Sequence, residues 1–200
     1  MVDISIRGDL WDDDSADVLR WWGFRDITAP MDIRAALEAA GGDEVTVLVN
    51  SPGGDMAVGA EIRSMLRRYQ GKTTALFQGY GASAATLAVS ACTVIQSEPG
   101  ALLCYHNPSN TTSGDFHEMR RSAEALRNAR DCILEMYTAR SGSRSREELI
   151  SLMDKNIWIT PTQAKEYGLI DGIVALEGAV FGVLGVGYNK TLLWLHDREA

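Results

Sequence analysis

The sequence predicts an α/β protein built on a parallel sheet, and two observations carry that prediction. The run Val45–Val49 is a dense β-branched stretch of the kind buried on both faces in parallel sheets. It belongs to a strand, glycine turn and helix order that occurs twice. The first passes through Asn50–Asp55 into a helix over Met56–Gln70; the second passes from Thr73–Phe77 through Gly79–Ala82 into a helix from Ser83 to about Ala91. Crossovers between parallel strands are right-handed, so both turns are expected at one edge of the sheet, where α/β proteins usually place their sites.

The elements around this pair follow from local chemistry. Val2, Ile4 and Ile6 alternate with Asp3, Ser5 and Arg7, which predicts a half-buried strand ended by Gly8. Asp12-Asp13-Asp14-Ser15 suits the start of a helix over Ala16–Phe24, whose Trp21 and Trp22 are expected in the core or in a subunit contact. Pro30 opens a helix to Ala40 that Gly41-Gly42 closes. Strands are expected at Thr93–Ile95 and Ala101–Tyr105 on either side of Pro99-Gly100, with His106 ending the second. The polar stretch Asn107–Gly114 leads into a helix over Asp115–Arg140, longer than most globular helices and expected to project. Ser145 and Glu148 form a capping box for the next helix, Thr160-Pro161 opens one that stops at Gly168, and Leu169–Val174 reads as a closing strand. The domain is thus expected over 1–174. Residues 175–200, with glycine-rich Gly178–Gly187 and the run Thr191–Leu195, form an appendage or a tail.

Composition narrows the function classes. With 200 residues, 46% of them hydrophobic, the chain can bury one sizeable core. A net charge of −8 argues against a nucleic-acid surface, and Arg120, Arg121, Arg127 and Arg130 alternate with Glu118, Glu124 and Asp131 as on a solvated helix face. The odd number of cysteines, Cys92, Cys104 and Cys132, in apolar or helical surroundings suits buried thiols in a reducing compartment. No metal-ligand spacing or cofactor motif appears, and the start Met1-Val2-Asp3-Ile4-Ser5 lacks a secretory signal. No apolar run reaches the ~18 residues of a membrane span. The expectation is a cytoplasmic protein with no cofactor.

The chemistry concentrates at Gly79-Tyr80-Gly81-Ala82-Ser83-Ala84-Ala85. Small residues around a serine let the backbone turn sharply and leave its hydroxyl open to a carbonyl, although such clusters also serve plain strand-on-helix packing. A serine nucleophile needs a base, a group that orients the base, and donors for the oxyanion. His117 lies among charges on the long helix and His196 in the C-terminal stretch, whereas His106 ends a core strand. Gly81-x-Ser83-x-Ala85 approaches the α/β-hydrolase elbow, but the 23 residues from Ser83 to His106 leave little room for that fold's intervening acid strand.

Four ordered motifs between about Val45 and Val174 resemble the ClpP family of serine peptidases: Asn50-Ser51-Pro52-Gly53-Gly54, Gly79-x-x-Ala82-Ser83, Tyr105-His106-Asn107-Pro108 and Ala164-x-x-Tyr167-Gly168-Leu169-Ile170-Asp171. Met153–Trp158 with Thr160-Pro161 is most similar to the ClpP-related head-maturation proteases of tailed phages and prophages. The resemblance implies a ClpP/crotonase-type fold of repeated ββα units, peptide bound as an added strand, and a homo-oligomeric ring, single or stacked in pairs through a handle at about 107–140. It implies Ser83 as nucleophile, His106 as base and the backbone N–H groups of Gly54 and Ala84 as the oxyanion hole. The implied activity is endopeptidase cleavage of capsid or scaffold protein during head maturation, without nucleic acid or membrane. Because Val2 already begins the first strand, action without an ATP-driven unfoldase is expected.

The third triad member departs from the pattern. Asn156 falls where the family commonly has aspartate or glutamate, with Asp154 two residues earlier. An asparagine fixes a histidine tautomer but adds no charge to stabilise imidazolium, and aspartate-to-asparagine in a serine-protease triad lowers kcat by ~10⁴. Two rival readings follow: a crotonase-like acyl-CoA enzyme using the same backbone amides, and a ring-forming assembly protein with a decayed triad.

Overall fold

The computed structural model describes residues 2–142 and 144–175. Its strands form one sheet in the order β2-β1-β3-β4-β5-β7, with β6 also paired to β4, and every named strand pairing is parallel. Here β1 is Val2–Leu10, β2 Ile27–Thr28, β3 Val45–Gly54, β4 Thr73–Ala82, β5 Val94–Ser97, β6 Leu102–Cys104 and β7 Gly172–Ile173. The helices are α1 Asp13–Trp21, α2 Pro30–Ala40, α3 Met56–Arg68, α4 Ala84–Val89, α5 Phe116–Ser141, α6 Arg146–Lys155 and α7 Pro161–Glu166.

The strands run further than their hydrophobic pattern. Gly8 does not end β1; the register shifts between Arg7 and Asp9, and Asp9 and Leu10 then pair with Gly53 and Gly54. The two expected turns are likewise strand: β3 continues to Gly54 and β4 to Ala82, joined by Ser51 against Gly81 after a second shift. The reason is hydrogen bonding. Segments without apolar side chains still hold sheet geometry where a neighbouring strand satisfies their backbone groups. On β4 the labour is divided, with Thr74–Phe77 facing β5 and Tyr80–Ala82 facing β6.

The core lies between the sheet and helices α2, α3 and α4. Val45, Val47, Val49, Phe77, Ile62, Leu66 and Leu87 are buried in it. Thr46 and Leu48 on the other face of β3 are only half-buried, so this strand is not buried equally on both faces. Near the end of the chain Asp171 is fixed twice: its carboxylate accepts from the Ile95 N–H and pairs with Arg140 of α5.

Several expectations change. Helix α1 begins at Asp13 because the Asp12 carboxylate accepts from the Ser15 N–H, and it ends before Phe24. Trp21 and Trp22 are 83% and 65% exposed, hence not core residues of this chain. Cys92 and Cys104 are buried as expected, but Cys132 is exposed on α5. Burial pushes the Cys92 thiol up to about 12. The closing strand shrinks to Gly172–Ile173. Helix α5 has its buried residues, Ile133, Leu134, Tyr137 and Ser141, in its last three turns, while Phe116 and Met119 at the other end are exposed. The appendage expected beyond 175 lies outside the described residues, as does His196. No described helix is long and apolar enough to cross a membrane.

Candidate active site

The ends of β3 and β4 meet as closely as backbones can. A Cβ built on Gly53, whose φ is +101°, would lie 2.5 Å from the Ser83 Cβ and 2.9 Å from the Ala84 nitrogen. Only glycine fits that approach and that dihedral. Ser83 itself has φ 53° and ψ −131°, a conformation an L side chain rarely adopts. Its N–H is anchored to the Cys104 carbonyl of β6 at 3.0 Å, and its hydroxyl makes no capping bond to α4.

Gly54 and Ala84 border the same space. The Asp55 N–H bonds to Leu10 on β1 at 3.0 Å. Successive N–H groups of a strand point to opposite sides, so the Gly54 N–H is turned away from β1 toward the Ser83 side. Ala84 is the first residue of α4, where an N–H has no partner within the helix. Gly54, Ser83, Ala84 and His106 all line one cavity of about 240 Å³, together with Met56, Ile133 and Tyr137.

His106 enters from the opposite wall, two residues beyond β6. Its Nδ1 lies 2.7 Å from the Asn107 carbonyl. A carbonyl only accepts, so Nδ1 is the donor here, and in the neutral ring this leaves Nε2 as the acceptor, the tautomer a base toward a serine requires. Among the described residues no hydrogen bond joins His106 to the Ser83 hydroxyl. Asn156 ends α6 in a left-handed conformation, φ 47° and ψ 51°. Leu103 and Ile159 exchange both backbone hydrogen bonds, at 3.0 and 2.7 Å, in an antiparallel bridge. The bridge brings the segment that follows Asn156 beside the strand that leads to His106. No hydrogen bond of the Asn156 side chain reaches His106 among the described residues. Asp154 instead accepts from the Asn107 side chain at 2.7 Å. His117 is remote, exposed at the start of α5 with its ring 3.8 Å from that of Phe116.

Sequence reasoning missed the support behind the serine. The Thr86 hydroxyl donates to the Ser83 carbonyl at 2.7 Å and meets the Tyr137 hydroxyl at 2.6 Å. Thr86 was detectable as a side-chain capping residue three positions after Ser83; Tyr137, 51 residues further on, carried no local signal.

The Clp protease family model matches residues 31–177. The chain belongs to the Clp protease family. Among its relatives, ATP-dependent Clp protease proteolytic subunit 1 of Streptomyces avermitilis is 31% identical over 133 residues, covering 66% of this chain and 61% of that protein. The proteolytic subunit of Mesostigma viride is 31% identical over 128 residues, 63% of this chain and 56% of that one. The matched stretch therefore spans about three-fifths of these relatives' length. A solved structure of a ClpP1 mutant from Listeria monocytogenes superposes with a TM-score of 0.69 over 86% of this chain and 90% of that one, at 21% identity. The likeness establishes the α/β ClpP-type fold with its parallel sheet for this Clp protease family member.

Proposed function

We propose that the chain is a serine-type endopeptidase. The observation that carries this reading is the packing of Gly53 against Ser83, which sets a strained serine on one cavity with Gly54, Ala84 and a histidine whose Nδ1 meets the Asn107 carbonyl. The Ser83 Oγ attacks the scissile carbonyl while His106 Nε2 takes its proton. The oxyanion accepts from the Gly54 and Ala84 N–H groups, and His106 then returns the proton to the leaving amine. Asn156 is the third member in this scheme.

The resemblance to head-maturation proteases supports a finer reading: cleavage of phage capsid or scaffold protein by a homo-oligomeric ring that works without an unfoldase. The relatives' names supply proteolysis but not this substrate. The test is labelling of the protein by a fluorophosphonate together with processing of co-expressed capsid protein. Ser83→Ala should abolish labelling and slow cleavage by ~10⁶, as loss of a serine nucleophile does; a Ser83→Ala protein that cleaves like the parent overturns the assignment. A second reading, an assembly protein with an idle site, has its own support in the free Ser83 hydroxyl and the uncharged Asn156. An assembled ring that never reacts with the probe would favour it.

A further inference from the structure

The Ser83 turn is held by α4 and, through Thr86, by α5. Its carbonyl accepts from the Thr86 hydroxyl at 2.7 Å and from the Thr86 and Leu87 N–H groups at 3.0 and 3.4 Å. Thr86 has one hydroxyl proton, and that proton points at Ser83, so the 2.6 Å contact with Tyr137 is donated by the phenol. Burial pushes the Tyr137 phenol far above its ordinary range, which keeps it a donor. Its ring is set edge-on to Tyr105, centroids 5.3 Å apart, one residue before His106.

The consequence lies in the peptide unit that follows Ser83. The Ser83 carbonyl and the Ala84 N–H belong to one planar trans peptide and point in opposite directions. The α4 donors that pin the carbonyl, Thr86 backed by Tyr137 among them, therefore also fix the direction of the N–H of Ala84, a residue that lines the cavity. Resting on the reading of Ser83 as nucleophile and Ala84 as oxyanion donor, we propose that Tyr137 is a positioning residue, which through Thr86 fixes the Ser83–Ala84 peptide and aligns the Ala84 N–H. A hydrogen bond to an oxyanion is worth most in the transition state, so misalignment lowers turnover and leaves ground-state binding alone.

The test measures kinact and KI for a fluorophosphonate on the full chain and its variants. Tyr137→Phe keeps the ring against Tyr105 and removes only the hydroxyl. It should lower kinact about three- to tenfold, the span of one net hydrogen bond, with KI unchanged. Thr86→Val should lower it at least as far, Thr86→Ser should restore it, and Tyr137→Phe combined with Thr86→Val should be no worse than Thr86→Val alone. An unchanged kinact in Tyr137→Phe, or a change confined to KI or to melting temperature, overturns the proposal. If the parent chain itself resists the probe, the nucleophile reading fails separately, and alignment is read by amide hydrogen exchange across α4. Faster exchange at Ala84 in Tyr137→Phe then supports the proposal and unaltered exchange overturns it.

Discussion

The two walls of the cavity are built to different standards. On the serine wall, Ser83 is fixed through its N–H, its carbonyl and the glycine packed on its Cβ, and each support comes from a different element: β6, α4 backed by α5, and β3. On the histidine wall, His106 is held by one bond to its own neighbour's carbonyl, and Asn107 by one bond to exposed Asp154. A turn held from three sides keeps its geometry whatever binds, whereas a side chain held once is free to be adjusted. The difference makes the serine side the one where a single change costs both rate and stability, and the histidine side the one where rate can be adjusted while the fold is left alone.

The largest expected effect breaks the first wall. Gly53→Ala puts a methyl within 2.5 Å of the Ser83 Cβ and 2.7 Å of the Ala82 carbonyl, at a φ of +101°. We expect fluorophosphonate labelling to fall by more than ~100-fold and stability, by chemical denaturation, to fall by about 2–4 kcal/mol. Normal labelling would mean the two strand ends are looser than their spacing indicates. On the second wall, Asn156→Asp adds the charge that steadies an imidazolium. It should raise the labelling rate about tenfold at neutral pH, within the ~10⁴ that this exchange spans in a serine-protease triad. Asp154→Ala should lower the rate about three- to tenfold by releasing Asn107. If only the Asp154 change matters, His106 is oriented through Asn107 and not by Asn156.

Smaller effects sharpen the division of labour. Asp171→Ala removes the acceptor shared by Arg140 and the Ile95 N–H and should cost about 2 kcal/mol while leaving the labelling rate unaltered. Alkylation probes the closure of the core behind α4. Cys92 bonds its N–H to Val89 at the end of α4, and burial pushes its thiol up to about 12. At pH 8 only ~10⁻⁴ of it is thiolate, so iodoacetamide should modify exposed Cys132 and spare Cys92, whose reactivity should rise only as the pH climbs toward 12.

What was legible in the sequence was local. Helix α2 begins at Pro30 and stops at Ala40 as predicted, and Asp115, Ser145 and Thr160 cap the helices expected of them, because each signal lies within one turn of the feature it sets. The pairing of Ser83 with the Gly53–Gly54 strand end was legible too, since right-handed crossovers put both turns at one edge. The extension of β1 past Gly8 was not, for it depends on the backbone groups of Gly53 and Gly54. Nor was the exposure of Trp21 and Trp22, whose hydrophobicity says how much burial would gain but not whether a partner surface is present in the same chain. The Thr86–Tyr137 bond joins residues 51 apart and follows only once α5 is docked.

The backbone of Ser83 leads to an odd reversal. A residue at φ 53° and ψ −131° sits where a side chain costs roughly 1–3 kcal/mol and glycine costs least. Of two inactive proteins, Ser83→Gly should therefore melt above Ser83→Ala, and above the parent if the relief exceeds glycine's extra freedom in the unfolded chain. Where that relief prevails, a lineage that drifted away from chemistry while keeping its assembly would gain durability by exchanging this serine for glycine.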